Sequence, residues 1–222
     1  MTLPVMIFAA GRGTRMAPLT DTMPKPLIPV AGRSLLDRSL DLVTDAGLGP
    51  VVVNTHYLGD QIRDHLAGRD VAISDEPVLL ETGGGLRKAL PFLGRGPVVT
   101  LNPDVIWTGA NPLVELLQAW DAARMDALLA LVPLAQTHGR VGGGDFSTDD
   151  SGRLTRKGDL VYGGAQIIKP DLLPDVVDEV FSLNKLWDIQ MTQGRAFGMI
   201  HSGVWCDVGR PDCIPLAEGL LA

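Results

Sequence analysis

Short apolar runs recur along the chain and are bounded by glycine, proline and polar residues. Runs of this length that are rich in valine, isoleucine and leucine are typical of buried strands. The predicted strands cover 5–8, 51–53, 71–74, 98–106, 127–132 and 161–168.

Helical spacing of apolar residues separates several of these strands. Leu36, Leu40 and Val43 share one face at spacings of four and three, and Gly47 follows as a helix stop. The alternation predicts an α/β fold, Rossmann-like, with a mostly parallel sheet covered by helices on both faces. Further helices are predicted over 58–66, 112–124 and 211–221.

The segment 138–159 interrupts this alternation. It is polar and rich in glycine, with short possible strands at 145–147 and 153–155. We interpret it as a small antiparallel excursion that covers a site on the main sheet and returns through the strand at 161–168.

A glycine-rich, basic segment follows the first predicted strand. It reads AAGRGTRMAPLTDTMPKP over 9–26. Gly11 and Gly13 allow a tight turn and a close approach to a ligand, while Thr14, Arg15 and Lys25 bring donors and positive charge to an anion. This layout predicts a site for the phosphates of a nucleoside triphosphate.

The sequence excludes two well-known types of glycine-rich nucleotide-binding loop. The pattern GxxxxGK[ST] of P-loop proteins is absent from the chain, and GxGxxG fails because Met16 stands at its sixth position. A dinucleotide-dependent dehydrogenase is therefore a poor interpretation of this sequence.

A second glycine cluster, LETGGGLRKAL, lies at 80–90. Three glycines before a helical pattern would place backbone amides at a helix N-terminus, where an anion or a polar ligand binds favourably. The residues alone leave a helix-entry turn about as plausible as a ligand site.

Polar side chains end the apolar strand predicted at 98–106. Asn102 and Asp104 lie in the sequence VVTLNPDVI, at the end of the strand where open α/β sheets bind ligands. A carboxylate in that position is a candidate magnesium ligand. Asp207, in GVWCDVGRPD, would be taken for a surface turn residue on the sequence pattern alone.

Composition limits the possible domain number, binding partners and cellular location. The 222 residues are 45% hydrophobic, enough for one sizeable core, and we expect a single domain over 1–222. Acidic residues outnumber basic ones by 26 to 19, which argues against a nucleic-acid partner. No apolar run approaches the ~20 residues that span a bilayer, and no signal peptide is recognisable. We expect a cytoplasmic protein with reduced cysteines and no membrane partner.

The segment 9–35, AAGRGTRMAPLTDTMPKPLIPVAGRSL, resembles the signature of sugar-1-phosphate nucleotidylyltransferases, roughly [AG]GxGxRxxPLTxxxPKPLxPVxGxPL. The resemblance implies the GT-A-like fold of nucleotide-diphospho-sugar transferases, without a C-terminal left-handed β-helix domain. It also implies that Arg15 and Lys25 act on the phosphates at the reaction centre. The nucleotide-binding residues implied are Ala10, Gly11, Gly13, Thr14, Glu81, Gly83, Gly84 and Asn102.

The same resemblance assigns a metal and a sugar site. GVWCDVGRPD is similar to the family's W-x-D-[VI]-G-[TR]-P motif, so Asp104 and Asp207 are expected to bind Mg²⁺ together. Pro103 departs from the glycine usual in the family, which puts any backbone contact there in doubt. Sugar contacts are expected at Gly139, Tyr162 and Asn184.

The resemblance implies transfer of a nucleotidyl group from a nucleoside triphosphate to a sugar 1-phosphate. LETGGG and the HGR stretch at 138–140 most resemble the uridylyltransferases of cell-wall recycling, which implies uridylyl transfer to N-acetylmuramate 1-phosphate. Guanylyl transfer to mannose or heptose 1-phosphate is the alternative. A non-catalytic nucleotide-sensing subunit is a further interpretation, although Lys25, Asp104 and Asp207 are all present. Oligomeric state is open.

Overall fold

Strand and helix alternate as the apolar pattern predicts. The computed structural model describes residues 2–222, so Met1 of the expected 1–222 domain lies outside the described residues. The strands are β1 (Val5–Phe8), β2 (Pro29–Val30), β3 (Arg33–Ser34), β4 (Val51–Thr55), β5 (Val71–Asp75), β6 (Val98–Leu101), β7 (Val105–Trp107), β8 (Ala127–Pro133), β9 (Thr137–His138), β10 (Phe146–Thr148), β11 (Leu154–Arg156), β12 (Leu160–Ile168), β13 (Ala196–Ile200) and β14 (Trp205–Asp207). The helices are α1 (Leu35–Asp45), α2 (Gly59–Leu66), α3 (Glu81–Leu93), α4 (Pro112–Ala119), α5 (Asn184–Thr192) and α6 (Cys213–Gly219).

The central sheet has the order β5-β4-β1-β6-β12-β8-β13. Strands β5, β4, β1 and β6 are parallel, β12 runs antiparallel to β6 and β8, and β13 is parallel to β8. The hairpin of β10 and β11 extends this sheet beside the start of β12. The predicted fold class, a mostly parallel α/β sheet with a small antiparallel excursion, is confirmed.

Helices cover the two faces of the sheet. Val5 and Ile7 of β1 belong to a buried cluster with side chains of α1, α2 and α4, whereas Met6 belongs to a second cluster with side chains of α3 and α5. Because successive side chains of a strand point to opposite faces, β1 is buried on both sides. No helix in the described range is long and apolar enough to cross a membrane.

A small second sheet stands beside the main one. The apolar stretch 98–106 forms two strands, because a turn at 102–104 divides it into β6 and β7. β7 leaves the central sheet and pairs antiparallel with β14, which in turn pairs parallel with β9. This three-stranded sheet brings segments from three distant parts of the chain together.

Four other elements differ from the prediction. Helix α4 ends at Ala119, not at 124, because the Asp121 carboxylate accepts from the Ala123 amide at 3.0 Å and Trp120 is extended. Helix α3 begins at Glu81, so the three glycines lie inside the helix and not before it. Helix α5 and strand β13 were not predicted.

Candidate active site

A cavity of about 360 Å³ opens at the carboxyl ends of β1 and β6. Its wall is built by the glycine-rich loop after β1, by Lys25 and Pro26, by residues around the start of α3, and by the turn at 102–104 after β6. Open α/β sheets bind their ligands at this edge. The predicted nucleotide-binding residues that line it are Ala10, Gly11, Gly13, Thr14, Glu81 and Asn102.

The glycine-rich loop folds closely over Lys25. Gly13 has a φ of +61°, and a Cβ atom there would lie 2.8 Å from the Lys25 Cβ. Both facts require glycine at this position. The hydroxyl of Thr20 donates to the Gly13 carbonyl at 3.0 Å and fixes the loop against the following segment. The side chains of Arg15 and Lys25 therefore share one cavity with the loop backbone.

Lys25 contacts one of the two predicted metal ligands, and the other lies on the strand paired beside it. The Lys25 ammonium donates to the Asp104 carboxylate at 2.7 Å, and only 8% of Lys25 is exposed. Asp207 of β14 pairs with Val105 of β7, and the Val208 amide donates to the Asp104 carbonyl at 2.9 Å. The β7–β14 pairing thus places Asp207 beside Asp104, although a hundred residues separate them in the chain.

The two carboxylates disfavour each other's charge. Burial raises the pKa of Asp207, and the negative charge of Asp104 raises it further, while the charges of Lys25, Arg15 and Arg140 oppose the rise. A cation between the carboxylates would relieve this repulsion. Magnesium binds through one or two carboxylates plus phosphate oxygens and water. Residues 2–222 contain no group of three or more histidine, cysteine, aspartate or glutamate side chains placed to hold a metal, so such an ion would need ligands from the substrate.

The three glycines at the start of α3 serve the protein's own packing. The amides of Gly83 and Gly84 both donate to the Phe181 carbonyl, at 2.8 and 3.1 Å. A Cβ on Gly83 would lie 2.4 Å from the Phe181 ring, and one on Gly84 would lie 2.5 Å from the Glu179 carbonyl oxygen. Both glycines face 179–181 and neither lines the cavity, in contrast to the expected base contact.

Gly84→Ala should therefore destabilise the fold. The added methyl would force 179–181 away from α3, and overpacking of this kind typically costs about 1–3 kcal/mol of unfolding free energy. Gly219→Ala is the matched control, since a Cβ at that helical position meets nothing within 4 Å. Urea unfolding measures both variants. Equal stability of the two would contradict the packing role.

Two buried polar residues of the site were missed from the sequence. The Asn54 amide donates to the Glu76 carboxylate at 2.7 Å, and the Ala9 amide donates to the Asn54 side-chain oxygen at 2.7 Å. Glu76 also accepts from the Leu80 amide at 3.0 Å. These bonds tie the loop after β1 to the start of α3 across the cavity. The available signal was a polar residue at the carboxyl end of each of two neighbouring strands, β4 and β5.

None of the three predicted sugar contacts lines the cavity. Gly139 has a φ of +70°, and a Cβ there would lie 2.3 Å from the Asp207 carbonyl oxygen, so its backbone supports Asp207 from behind. Tyr162 is half-buried on β12; burial raises the pKa of its hydroxyl, and the charge of Asp104 adds to that rise. Asn184 is exposed at the start of α5, where its amide donates to the Ser182 hydroxyl.

Comparison with known proteins shows which family the chain belongs to. Residues 5–139 match the family model of the MobA-like NTP transferase domain. The chain is 41% identical to the N-acetylmuramate alpha-1-phosphate uridylyltransferase of Caulobacter vibrioides over 98% of this chain and 96% of that protein. It is 37% identical to the enzyme of the same name from Neisseria meningitidis, over 92% of each chain. The mannose-1-phosphate guanylyltransferase of Mycobacterium tuberculosis is 25% identical over 93% of this chain and 61% of that protein.

Solved structures share the fold over the whole chain. HddC from Yersinia pseudotuberculosis, in a complex with GMP-PN, superposes with a TM-score of 0.78 at 18% identity and full coverage of both chains. A UDP-glucose pyrophosphorylase complexed with UDP-glucose gives a TM-score of 0.80 at 15% identity, covering 99% of this chain and 98% of the other. The resemblance to sugar-1-phosphate nucleotidylyltransferases is confirmed, and the chain belongs to the family of MobA-like NTP transferase domains.

Proposed function

We propose that the protein transfers a uridylyl group from UTP to N-acetylmuramate 1-phosphate, giving UDP-N-acetylmuramate and pyrophosphate. The observation that carries the proposal is the 41% identity to the Caulobacter uridylyltransferase over nearly the full length of both chains. The ion pair of Lys25 with Asp104 in the cavity, and the position of Asp207 on the strand paired with β7, support a catalytic role over a nucleotide-sensing one. We further propose that one domain over 1–222 performs this reaction in the cytoplasm.

Guanylyl transfer to mannose 1-phosphate is supported less well. The guanylyltransferase relative is 25% identical, and this chain covers 61% of it. The structural likeness to HddC concerns the fold alone, because the two sequences are 18% identical. Uridylyl transfer is therefore the better-supported reaction.

The chemistry brings two anions together. A phosphate oxygen of the sugar 1-phosphate attacks the α-phosphorus of UTP, and the bond to pyrophosphate breaks. The attacking phosphate is already ionised at neutral pH, so no protein base is needed. Lys25 and Arg15 offset the repulsion between the reactants and stabilise the charge that develops on the leaving pyrophosphate. The ion pair with Asp104 holds the Lys25 ammonium in place before the substrate arrives.

Asp104 and Asp207 are the residues that would hold Mg²⁺. Their oxygen donors and their mutual repulsion fit a hard divalent cation. When bound, the ion would neutralise phosphate charge and orient the phosphate oxygens. The described residues leave the rest of its coordination sphere to phosphate and water.

Initial rates of pyrophosphate release test the proposal. UTP, GTP, CTP, ATP and dTTP are each combined with the 1-phosphates of N-acetylmuramate, mannose, glucose and N-acetylglucosamine, with Mg²⁺ and with a chelator as control. The pair of UTP and N-acetylmuramate 1-phosphate should have the highest kcat/KM, by about tenfold or more over other bases, because a mismatched base leaves buried polar groups unpaired. An optimum with GTP and mannose 1-phosphate would overturn the substrate assignment. No release in any combination would support the nucleotide-sensing alternative.

A further inference from the structure

Arg140, in the loop that follows β9 of the small three-stranded sheet, has no role in the reaction described above. The order of this sheet is β7-β14-β9, and a charged residue lies near one end of each strand, at the side of the sheet where β7 begins and β14 and β9 end. Asp104 precedes β7, Asp207 ends β14, and Arg140 follows β9 by two residues. His138 pairs with Cys206 in the parallel β9–β14 ladder, so the chain beyond His138 continues alongside Asp207 and Val208. Arg140 thus lies in the loop after β9, beside β14, whereas Lys25 lies in the short turn at 25–27 and reaches Asp104 from the other direction.

The Arg140 guanidinium is fixed but not fully used by the protein. Its Nη2 atom donates to the Asp145 carboxylate at 2.8 Å and to the Gly143 carbonyl at 3.3 Å. Its Nε atom is buried and has no hydrogen-bond partner within residues 2–222. A buried donor without an acceptor is costly, so its presence points to an acceptor that arrives with a ligand.

Asp145 holds this guanidinium against the strand that carries Tyr162. One Asp145 oxygen accepts from Arg140, and the other accepts from the Tyr162 backbone amide at 3.0 Å. The ion pair of Arg140 and Asp145 thus links the loop after β9 to strand β12. The preceding residue, Gly139, packs against Asp207, since a Cβ there would lie 2.3 Å from the Asp207 carbonyl oxygen. Arg140 is a positioned cation beside the reaction centre.

The two cations stand on different sides of the site. Lys25 lines the cavity that the glycine-rich loop and the start of α3 enclose, whereas Arg140 is not among the residues of that cavity. A triphosphate bound to the loop would occupy the Lys25 side. The second anionic reactant would then lie on the side of β9 and β12, next to the Arg140 guanidinium, whose Nε has no acceptor among the described residues.

We propose that Arg140 binds an anionic oxygen group of the acceptor sugar, either its 1-phosphate or its carboxylate. This inference rests on the proposed function, which supplies an acceptor with both groups. Guanidinium forks suit both anions, because two parallel N–H donors match two oxygens. Arg140 is accordingly a substrate-binding residue for the acceptor and not for the nucleotide.

Steady-state kinetics of Arg140→Gln and Arg140→Lys test the inference. We expect kcat/KM for N-acetylmuramate 1-phosphate to fall by about tenfold or more in Arg140→Gln, with partial recovery in Arg140→Lys, because a charge-assisted hydrogen bond is lost. The KM for UTP should stay within about twofold of wild type. Arg153→Gln is the matched control, since Arg153 lies on the same excursion, is exposed and bonds to Gly194 and Ser151. Melting temperatures show whether each variant is folded. If Arg140→Gln does not fold, the kinetics of Arg140→Lys test the inference.

Inhibition measurements then identify the anion. N-acetylglucosamine 1-phosphate keeps the phosphate and lacks the carboxylate, whereas N-acetylmuramate keeps the carboxylate and lacks the phosphate. A weaker Ki in the variants for only one of these inhibitors assigns Arg140 to that group. Acceptor kcat/KM within about twofold of wild type in both variants, or an equal rise in the KM for UTP, would overturn the inference. Inactivity of the wild-type protein would refute the proposed function instead.

Discussion

Lys25→Ala is expected to lower kcat for pyrophosphate release by about 10²-fold or more, equivalent to roughly 2.7 kcal/mol of barrier. The ammonium is almost fully buried and points at the Asp104 carboxylate, so it is held where charge develops on the phosphates. Fixed charge in a partly desolvated site stabilises a transition state more than the same charge in water. Alanine removes this charge and leaves the Asp104 carboxylate without its ion-pair partner.

Lys88→Ala is the control for this effect. Lys88 is exposed on α3 and does not line the cavity, so its loss should leave kcat within about twofold of wild type. Thermal melting of both variants separates a catalytic loss from unfolding. A loss below about tenfold in folded Lys25→Ala would remove Lys25 from the reaction centre.

Asp207→Asn is expected to lower kcat/KM by a similar factor, about 10²-fold or more, at a fixed, limiting Mg²⁺ concentration. The amide keeps the shape of the side chain but removes one of the two charged oxygen ligands. Part of the rate should return as Mg²⁺ is increased, so the half-saturating Mg²⁺ concentration rises in the variant. Initial rates over a Mg²⁺ titration measure both effects.

Asp104→Asn should give the same pattern, while Asp212→Asn should not. Asp212 is exposed and pairs with Arg210 outside the cavity, which makes it a matched control from the same segment as Asp207. An unchanged Mg²⁺ requirement in both Asp104→Asn and Asp207→Asn would contradict metal binding by this pair.

Features of the site that depend on residues close in sequence could be predicted, whereas those that depend on long-range strand pairing could not. The loop of Gly11 and Gly13, the position of Lys25 near it and the strand before it follow from residues that are close in sequence. The meeting of Asp104 with Asp207 does not, because it depends on the pairing of β7 with β14. That pairing required β7 to separate from β6 after the turn at 102–104, and the residues themselves do not show that β7 leaves the main sheet.

Two other errors of the sequence-based prediction, at the glycines of α3 and at helix α5, also have physical causes. Glycines 83 and 84 suggested an exposed helix start, but the close approach of Phe181 from a segment a hundred residues later decides their role. Helix α5 was missed because its buried face consists of Leu186, Trp187 and Gln190, which is too short and too polar to give a clear period.

The identity of the product tests the central claim most directly. The purified protein is incubated with Mg²⁺, N-acetylmuramate 1-phosphate and equal concentrations of UTP, GTP, CTP and ATP, and the products are resolved by mass spectrometry. The account predicts UDP-N-acetylmuramate as the dominant nucleotide sugar, formed in equal amount with pyrophosphate and reduced by about 10²-fold or more in Lys25→Ala over the same period. A dominant GDP-sugar, or consumption of UTP without a UDP-sugar, would contradict it.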